Sequence, residues 1–255
     1  MKGRILLGAA LAAALLLPAL RPARLPGLLP SEETTKAHRT LEGIPCPGRL
    51  LVSLDFDPSS RAELEPQARA VLRHAFRRRL KVVALTLNAE GRDLAAGIVR
   101  DCAMETHAKE GEDWAFLGWR PGGPAVILEM QRDIPRAFPQ SKSLPILPEG
   151  LCLADFRCLA AFAQRDSDLE SWLVYAQGQA RFPVVAGTSA VNAAAMRPFQ
   201  QSGQIAGLLS GLRGAAEYER LEGRDGQGVA GMDGLALGSL VILAAVILAN
   251  LRGKA

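Results

Sequence analysis

The stretch "RLLVSLDFDPSSRAELEPQARAVLRHAFRRRLKVVALTLN", Arg49 to Asn88, decides the fold. It opens with an apolar run of strand type, Leu50 to Phe56, and continues with an amphipathic helical pattern, Glu63 to Arg79. A second, β-branched run follows at Lys81 to Leu87, and a second helical pattern at Gly91 to Glu110. Strands that alternate with helices in this order form a parallel sheet with helices packed on its faces.

The same alternation continues along the chain. Strand-like runs occupy Trp114 to Trp119, Ala125 to Met130 and Arg181 to Gly187. A helical pattern at Asp168 to Gln179 precedes the last of them, and Thr188 to Met196 begins another helix. The sequence therefore predicts an α/β fold, a three-layer α/β/α sandwich with a mainly parallel sheet of the Rossmann-like or flavodoxin-like kind.

Both ends of the chain are strongly apolar. Residues Ile5 to Leu20 carry no charge, which is typical of a signal peptide or of a retained signal anchor. Residues Gly234 to Leu251 are also free of charge and are long enough to predict a transmembrane helix. The predicted α/β domain is thus flanked by N- and C-terminal transmembrane helices, of which the first is cleaved if it is a signal peptide.

Charged residues beside the two apolar segments predict the orientation. Lys2 and Arg4 precede the first segment, and Arg252 and Lys254 follow the second. Because positive residues favour the cytoplasmic side, both ends are expected inside, which leaves the bulk of the chain extracytoplasmic on the cytoplasmic membrane. The predicted units are 1–21 as signal anchor or signal peptide, 22–48 as tether, 49–221 as α/β domain, 222–233 as glycine-rich linker and 234–251 as transmembrane helix.

Composition narrows the possible partners. The net charge is +4, but the positive residues are spread along the chain without a recognition motif, so nucleic-acid binding is not predicted. The four cysteines include no C-x-x-C pair, which argues against a zinc site; disulfides, including a Cys152–Cys158 bridge, and free buried thiols both remain open. His38, His74 and His107 are scattered, so no metal site is predicted from them.

Polar residues follow the ends of the predicted strands. Ligands of open parallel sheets bind beyond the carboxyl ends of the strands, where loops and helix N-termini meet. The residues that should converge there form a candidate ligand site: Asp55, Asp57, Ser59, Asn88, Thr188 and Ser189.

Two interpretations of the aspartates remain open. The segment "LLVSLDFDPSS" resembles the first motif of the haloacid dehalogenase-like phosphatases, with Thr86 matching their second motif. That resemblance implies Mg²⁺ as a cofactor and Asp55 and Asp57 as catalytic residues, with Asp55 attacking a phosphoryl group. The alternative is structural: Ser60 and Glu63 fit a capping box, and Asp57 would form the turn into the helix.

A glycine-spaced segment precedes the second apolar end. Gly203, Gly207 and Gly211 are four residues apart in "QSGQIAGLLSGLRGAAEYERLEG", which predicts one small face on a helix. Such a face suits close packing, either against the sheet, against a second copy or another membrane protein, or on the membrane surface.

The segments "DFDPSS", "ARAVLRHAFRR" and "QSGQIAGLLSGLRGAAEYE" together with the terminal span resemble a family of uncharacterised bacterial membrane proteins, which implies the layout but no activity. The leading hypothesis is a membrane-anchored extracytoplasmic domain that acts as a binding or assembly component. Its partners would be membrane lipid and itself or another membrane protein, and no cofactor is expected. The alternative is an enzyme, a Mg²⁺-dependent phosphohydrolase centred on Asp55 and Asp57.

Overall fold

The computed structural model describes residues 2–141 and 143–252. Its strands are β1 Arg49–Asp55, β2 Lys81–Thr86, β3 Trp114–Trp119, β4 Cys158–Ala163, β5 Val184–Thr188 and β6 Gly207–Ser210. Its α-helices are α1 Lys2–Leu20, α2 Glu32–Glu42, α3 Arg61–Arg77, α4 Arg92–Glu105, α5 Pro124–Met130, α6 Ile134–Ala137, α7 Asp166–Trp172, α8 Gly178–Ala180, α9 Ala193–Gln201, α10 Gly211–Leu221 and α11 Gln227–Arg252. A π-helical turn, Leu173–Gln177, joins α7 to α8.

The strands form one six-stranded parallel sheet in the order β3-β2-β1-β4-β5-β6. Alternate residues of β1 face opposite layers: Leu50 and Val52 pack with α2, α3, α4 and α10, whereas Leu51 packs with α5, α6, α7 and α9. This confirms a parallel α/β fold of the Rossmann-like or flavodoxin-like kind. The strand order reverses direction between β1 and β4, so the crevice of such folds is expected at the ends of those two strands.

The sequence did not predict β4, although it is a central strand. Its sequence, CLAAFA, is buried throughout and pairs with both β1 and β5. A central strand of a parallel sheet is buried on both faces and therefore shows no alternation of apolar and polar residues. The small alanines also lack the β-branched character that marks a strand in sequence.

The strand predicted over Ala125–Met130 is wrong, because the segment forms helix α5. Pro124 occupies the first turn, where its missing N–H costs nothing. Val126, Ile127 and Met130 are buried while Leu128 is exposed, which is the spacing of one helix face. The buried residues of this segment recur at the helical period, but the segment is also continuously apolar, which is the pattern of a strand buried on both faces.

The glycine-faced helix predicted around Gly203, Gly207 and Gly211 is also wrong. Gly203 lies in a turn, Gly207 opens β6, and Gly211 begins α10. Gly203 and Gly211 have φ values of +80° and +56°, which glycine adopts without strain. A Cβ atom on Gly207 would lie 2.2 Å from the backbone nitrogen of Ala37, because α2 crosses β6 there. The three glycines therefore share no face, and the predicted interface loses its geometric basis.

The predicted tether and linker contain helices. In the tether, Ser31 caps α2 by accepting a hydrogen bond from the Thr34 amide at 3.2 Å, and Ala37 and Leu41 are fully buried. In the linker, α11 begins at Gln227 and Val229 is fully buried. Both segments are packed parts of the fold rather than flexible connections.

Helix α11 is long and apolar enough to span a membrane, is mostly exposed, and packs antiparallel against α1. A Cβ atom on Gly234 would lie 3.2 Å from the carbonyl oxygen of Leu15, and one on Gly238 would lie 3.2 Å from Leu15 Cδ2. We call α1 and residues 234–252 of α11 the apolar helix pair. Its exposed large side chains are Leu6, Leu7, Leu15, Leu16, Leu17, Leu20, Leu235, Leu240, Ile242, Leu243, Val246, Ile247, Leu248 and Leu251.

The four cysteines are free, so the Cys152–Cys158 bridge is not formed. Cys102 and Cys158 are buried in the same core layer, the one that contains α3 and α4, whereas Cys46 is exposed. Burial raises the pKa of the Cys158 thiol to about 12 and that of Cys102 to about 11, so both behave as apolar core groups.

Candidate functional site

Asp55, at the carboxyl end of β1, is fully buried and fully engaged. One carboxylate oxygen accepts the Leu87 amide at 2.6 Å, and the other accepts the Ser53 hydroxyl at 2.6 Å and the Trp172 indole N–H at 2.9 Å. Burial raises the pKa of Asp55 to about 6 despite these donors. Because both oxygens already bind protein donors inside the core, Asp55 is not presented to a metal ion or a phosphoryl group.

Asp57, two residues later, makes the turn into α3. Its carboxylate accepts the amide and hydroxyl hydrogens of Ser59, at 2.7 and 2.5 Å, and a side-chain N–H of Gln164 at 2.9 Å. The hydrogen bonds from Ser59 and Gln164 hold the pKa of Asp57 below its ordinary value. The predicted turn at Asp57 is confirmed, and Ser59 takes part in it.

The predicted capping box at Ser60 is wrong. The Ser60 side chain makes no capping hydrogen bond to α3. Glu63 turns away instead and accepts the Ala190 amide at 2.8 Å, beyond the end of β5. Glu63 therefore links the start of α3 to the loop after another strand, a long-range contact that a local S-x-x-E pattern cannot indicate.

Asn88 caps the turn before α4. Its side-chain oxygen accepts the amides of Glu90 and Gly91 at 3.0 and 3.3 Å. Gly91 is required there, since a Cβ atom on it would lie 2.0 Å from the carbonyl oxygen of Phe56. Asn88 thus lies at the predicted edge of the sheet, beside the loop that follows β1, and its side-chain oxygen stabilises the turn before α4.

Ser189 and Thr188 follow β5. The Ser189 hydroxyl accepts the Asn192 amide at 3.3 Å, and Asn192 donates to the Gln164 carbonyl at 2.8 Å. Thr188 is fully buried, and its hydroxyl has no hydrogen-bond partner among the described residues. Gln67 reaches the same place from α3, where its amide N–H donates to the carbonyls of Thr188 and Gly211 at 2.9 and 2.8 Å.

The predicted residues therefore do meet at one edge of the sheet. Gln164, which follows β4, is the link between them: its backbone N–H donates to the Asp55 carbonyl at 3.3 Å, and its side chain binds Asp57. Gln164 was not among the predicted residues, because β4, the strand that it follows, was not predicted. The donor set does not fit Mg²⁺, which needs accessible oxygens and retained waters. The edge is a closed network of turns and caps.

A second polar cluster, which no local sequence pattern indicates, lies between α2, α3 and α10. We call it the His–Glu cluster: His38, His74, Tyr218 and Glu222, with Glu42 at its border. His74 is fully buried, and burial lowers its pKa, so the ring is neutral near pH 7. Two imidazoles and a carboxylate, of which only His74 is fully buried, supply the donor atoms of a metal site.

A cavity of about 550 Å³ separates the α/β domain from the apolar helix pair. Leu15 and Ala19 line it from α1, and Arg73, Arg77 and Arg224 line it from the domain. Arg73 is bound by Glu105 at 2.7 Å and Arg77 by Glu222 at 2.6 Å, so much of the positive charge is neutralised. The cavity marks the boundary between a charged surface and an apolar one.

The domain is fixed to α11 at that boundary. The Glu219 carboxylate of α10 accepts the amides of Gly226, Gly228 and Val229, at 3.1, 3.0 and 2.7 Å, and so caps α11. Burial raises the pKa of Glu219. Asp233 accepts the amides of Arg24 and Leu25 at 2.8 and 3.1 Å, which ties the segment that follows α1 to α11.

No family model matches this chain, and no curated protein matches it either.

Proposed function

We propose that this chain is a membrane-anchored, extracytoplasmic α/β domain that acts as a binding or assembly component, with the apolar helix pair in lipid. The observation that carries the proposal is the exposed apolar surface of that pair. Full burial of each leucine or valine side chain is worth about 1.5–3 kcal/mol. A surface with more than a dozen of them exposed is far better placed in a bilayer than in water.

The dimensions of the pair support this placement. The charge-free part of α11, residues 234–251, corresponds to about 27 Å at 1.5 Å per residue, which is close to the ~30 Å hydrocarbon core of a bilayer. The charge-free part of α1, residues 5–20, is shorter and corresponds to about 24 Å.

The contact between the two helices supports a retained anchor rather than a cleaved signal peptide. Gly234 and Gly238 are four residues apart and face Leu15. Small residues at this spacing allow close helix contact in lipid, where the hydrophobic effect does not hold helices together. Removal of α1 would expose this glycine face of α11.

The charge pattern supports the orientation. The antiparallel pair brings the N-terminal end of α1 and the C-terminal end of α11 to the side away from the domain. Lys2 and Arg4 flank that end in sequence, as do Arg252 and Lys254, the last of which lies outside the described residues. The positive-inside rule then places these ends in the cytoplasm and the α/β domain outside.

The burial of Asp55 at the carboxyl edge of the sheet favours a binding role over a catalytic one. A phosphohydrolase needs a nucleophile that faces solvent, whereas Asp55 is fully buried with both oxygens occupied. Lipid is the proposed partner of the apolar helix pair. A second copy of the chain, or another membrane protein, is the proposed partner of the assembly.

The cysteines provide the test. A Cys152→Ser variant keeps Cys46 as its exposed thiol, because Cys102 and Cys158 are buried. A membrane-impermeant maleimide should label Cys46 on intact cells. In the control, Cys46→Ser, Cys152→Ser and Ala255→Cys are combined, and labelling should require permeabilised cells. The reverse pattern would contradict the orientation, and release of the protein from membranes by alkaline carbonate would contradict the anchor.

A further inference from the structure

Three side chains from distant parts of the chain meet in the His–Glu cluster. His38 comes from α2, His74 from α3, and Glu222 follows the last residue of α10. The Nε2 atom of His38 lies 2.6 Å from Glu222 Oε1, and the Nδ1 atom of His74 lies 3.4 Å from the same oxygen. The three potential ligand atoms are all within 4.8 Å of one another.

We infer that His38, His74 and Glu222 form a binding site for a divalent transition metal of borderline softness, with Zn²⁺ as the best match. Two imidazole nitrogens and one carboxylate oxygen are the ligands of many three-residue zinc sites, which leave a fourth position to water. Imidazole also suits copper, nickel and iron, whereas Mg²⁺ and Ca²⁺ prefer oxygen ligands.

The distances suit such an ion after a small adjustment. With metal–ligand bonds of about 2.0–2.1 Å, ligand atoms in a tetrahedral site lie roughly 3.3 Å apart. The 3.4 Å between His74 Nδ1 and Glu222 Oε1 already matches this value. The contact between His38 and Glu222 has to lengthen, and the His38 ring, stacked on His74 at 4.7 Å, has to turn. His38 is the ring that can move, since its side chain is 19% exposed and that of His74 is fully buried.

The groups around the ligands hold them in the required state. The Nε2 atom of His74 lies 2.7 Å from the Glu42 carboxylate, so Nε2 carries the proton and the lone pair of Nδ1 faces the site. This is the carboxylate–histidine–metal arrangement found around bound zinc. Arg77 binds Glu222 Oε2 at 2.6 Å, which leaves Oε1 directed at the two rings.

The Tyr218 hydroxyl competes with a metal in this site. It lies 2.7 Å from His74 Nδ1 and donates to the lone pair that the ion would use. Metal binding must therefore break this hydrogen bond, which lowers the affinity but leaves the site closed and satisfied when no ion is bound. A bound ion would connect α2, α3 and α10 and should stabilise the fold.

The experiment uses the full chain in detergent, with Cys46→Ser and Cys152→Ser to remove the accessible thiols. Titration with Zn²⁺ against a chromophoric chelator should give one bound ion per chain and a raised melting temperature. We expect His38→Gln and Glu222→Gln each to weaken binding at least ~10-fold, and Glu42→Gln to weaken it ~10–100-fold.

The matched control is His107→Gln, which removes an exposed histidine that does not belong to the His–Glu cluster and should leave the affinity unchanged. Circular dichroism and melting without metal establish that each variant is folded; if His38→Gln does not fold, Glu222→Gln decides. The inference is overturned if the parent binds no stoichiometric Zn²⁺. It is also overturned if folded His38→Gln or Glu222→Gln binds as tightly as the parent, or if His107→Gln weakens binding as much.

Discussion

Replacement of Asp55 by asparagine should remove a pH dependence of stability that the buried carboxylate causes. Its pKa rises from 3.8 in the unfolded chain to about 6 in the fold. A group with a raised folded pKa contributes stability below its unfolded pKa and loses that contribution as the pH rises through its folded pKa. The contribution of Asp55 to stability is therefore lost between about pH 4 and about pH 6, and its pKa shift corresponds to about 3 kcal/mol of unfolding free energy.

The assay is urea unfolding of the full chain in a nonionic detergent between pH 4 and pH 7.5. The difference in unfolding free energy between Asp55→Asn and the parent should move by about 3 kcal/mol in favour of the variant as the pH rises. Asp57→Asn is the control, because the pKa of Asp57 is lowered and its own window lies below about pH 4. Equal slopes for Asp55→Asn and the parent would refute the buried-carboxylate account. Loss of a phosphatase activity without any change in slope would favour the catalytic account.

Three further predictions concern packing and capping. Glu219→Gln should lower the unfolding free energy by about 1–2 kcal/mol, because the amide caps α11 less well than the carboxylate; exposed Glu170→Gln is the control, and equal urea midpoints would contradict the capping role. Gly207→Ala should lower the melting temperature markedly, because the new Cβ would overlap the Ala37 backbone; Gly97→Ala, in open space within α4, should leave it equal or higher. Gly238→Leu should separate the apolar helix pair and so reduce disulfide crosslinking between cysteines placed in α1 and α11. Gly8→Leu is the control, because a side chain there has open space and should leave the crosslinking unchanged. Undiminished crosslinking in Gly238→Leu would show that the contact at Leu15 is not needed.

The parallel fold was predictable because β1, α3, β2 and α4 are contiguous and each carries its own period. Two of the strands were not predicted, for a compositional reason. Strand β4 is alanine-rich, and β6 begins at a glycine that is there to admit α2 rather than to form a strand. A strand that is buried on both faces shows no alternation of apolar and polar residues, and a strand in close backbone contact carries glycine instead of a β-branched residue.

The candidate site was predictable in place but not in role. Because the carboxyl ends of parallel strands share an edge, Asp55, Asn88 and Thr188 were expected to lie near one another. Whether Asp55 is open or closed depends on Trp172, which lies 117 residues later in the chain, at the end of α7. The His–Glu cluster joins three helices distant in the chain, so no ligand spacing in the sequence could indicate it.

The four-residue glycine spacing alone did not identify a helix face. Gly203, Gly207 and Gly211 have this spacing but lie in a turn, in a strand and at the start of α10, whereas Gly234 and Gly238 have it inside an uninterrupted apolar run that is helical. The apolar context, rather than the spacing, distinguishes the helix face from the turn.

The packing of α1 on α11 sets an order of events during synthesis. The ribosome makes α1 before the α/β domain and α11 after it, so the two helices of the apolar helix pair are synthesised at different times. The contacts of α11 with α1 and with α10 therefore form last. A chain that ended before Gln227 would leave Glu219 without the amides of Gly228 and Val229, and α1 without its neighbour α11.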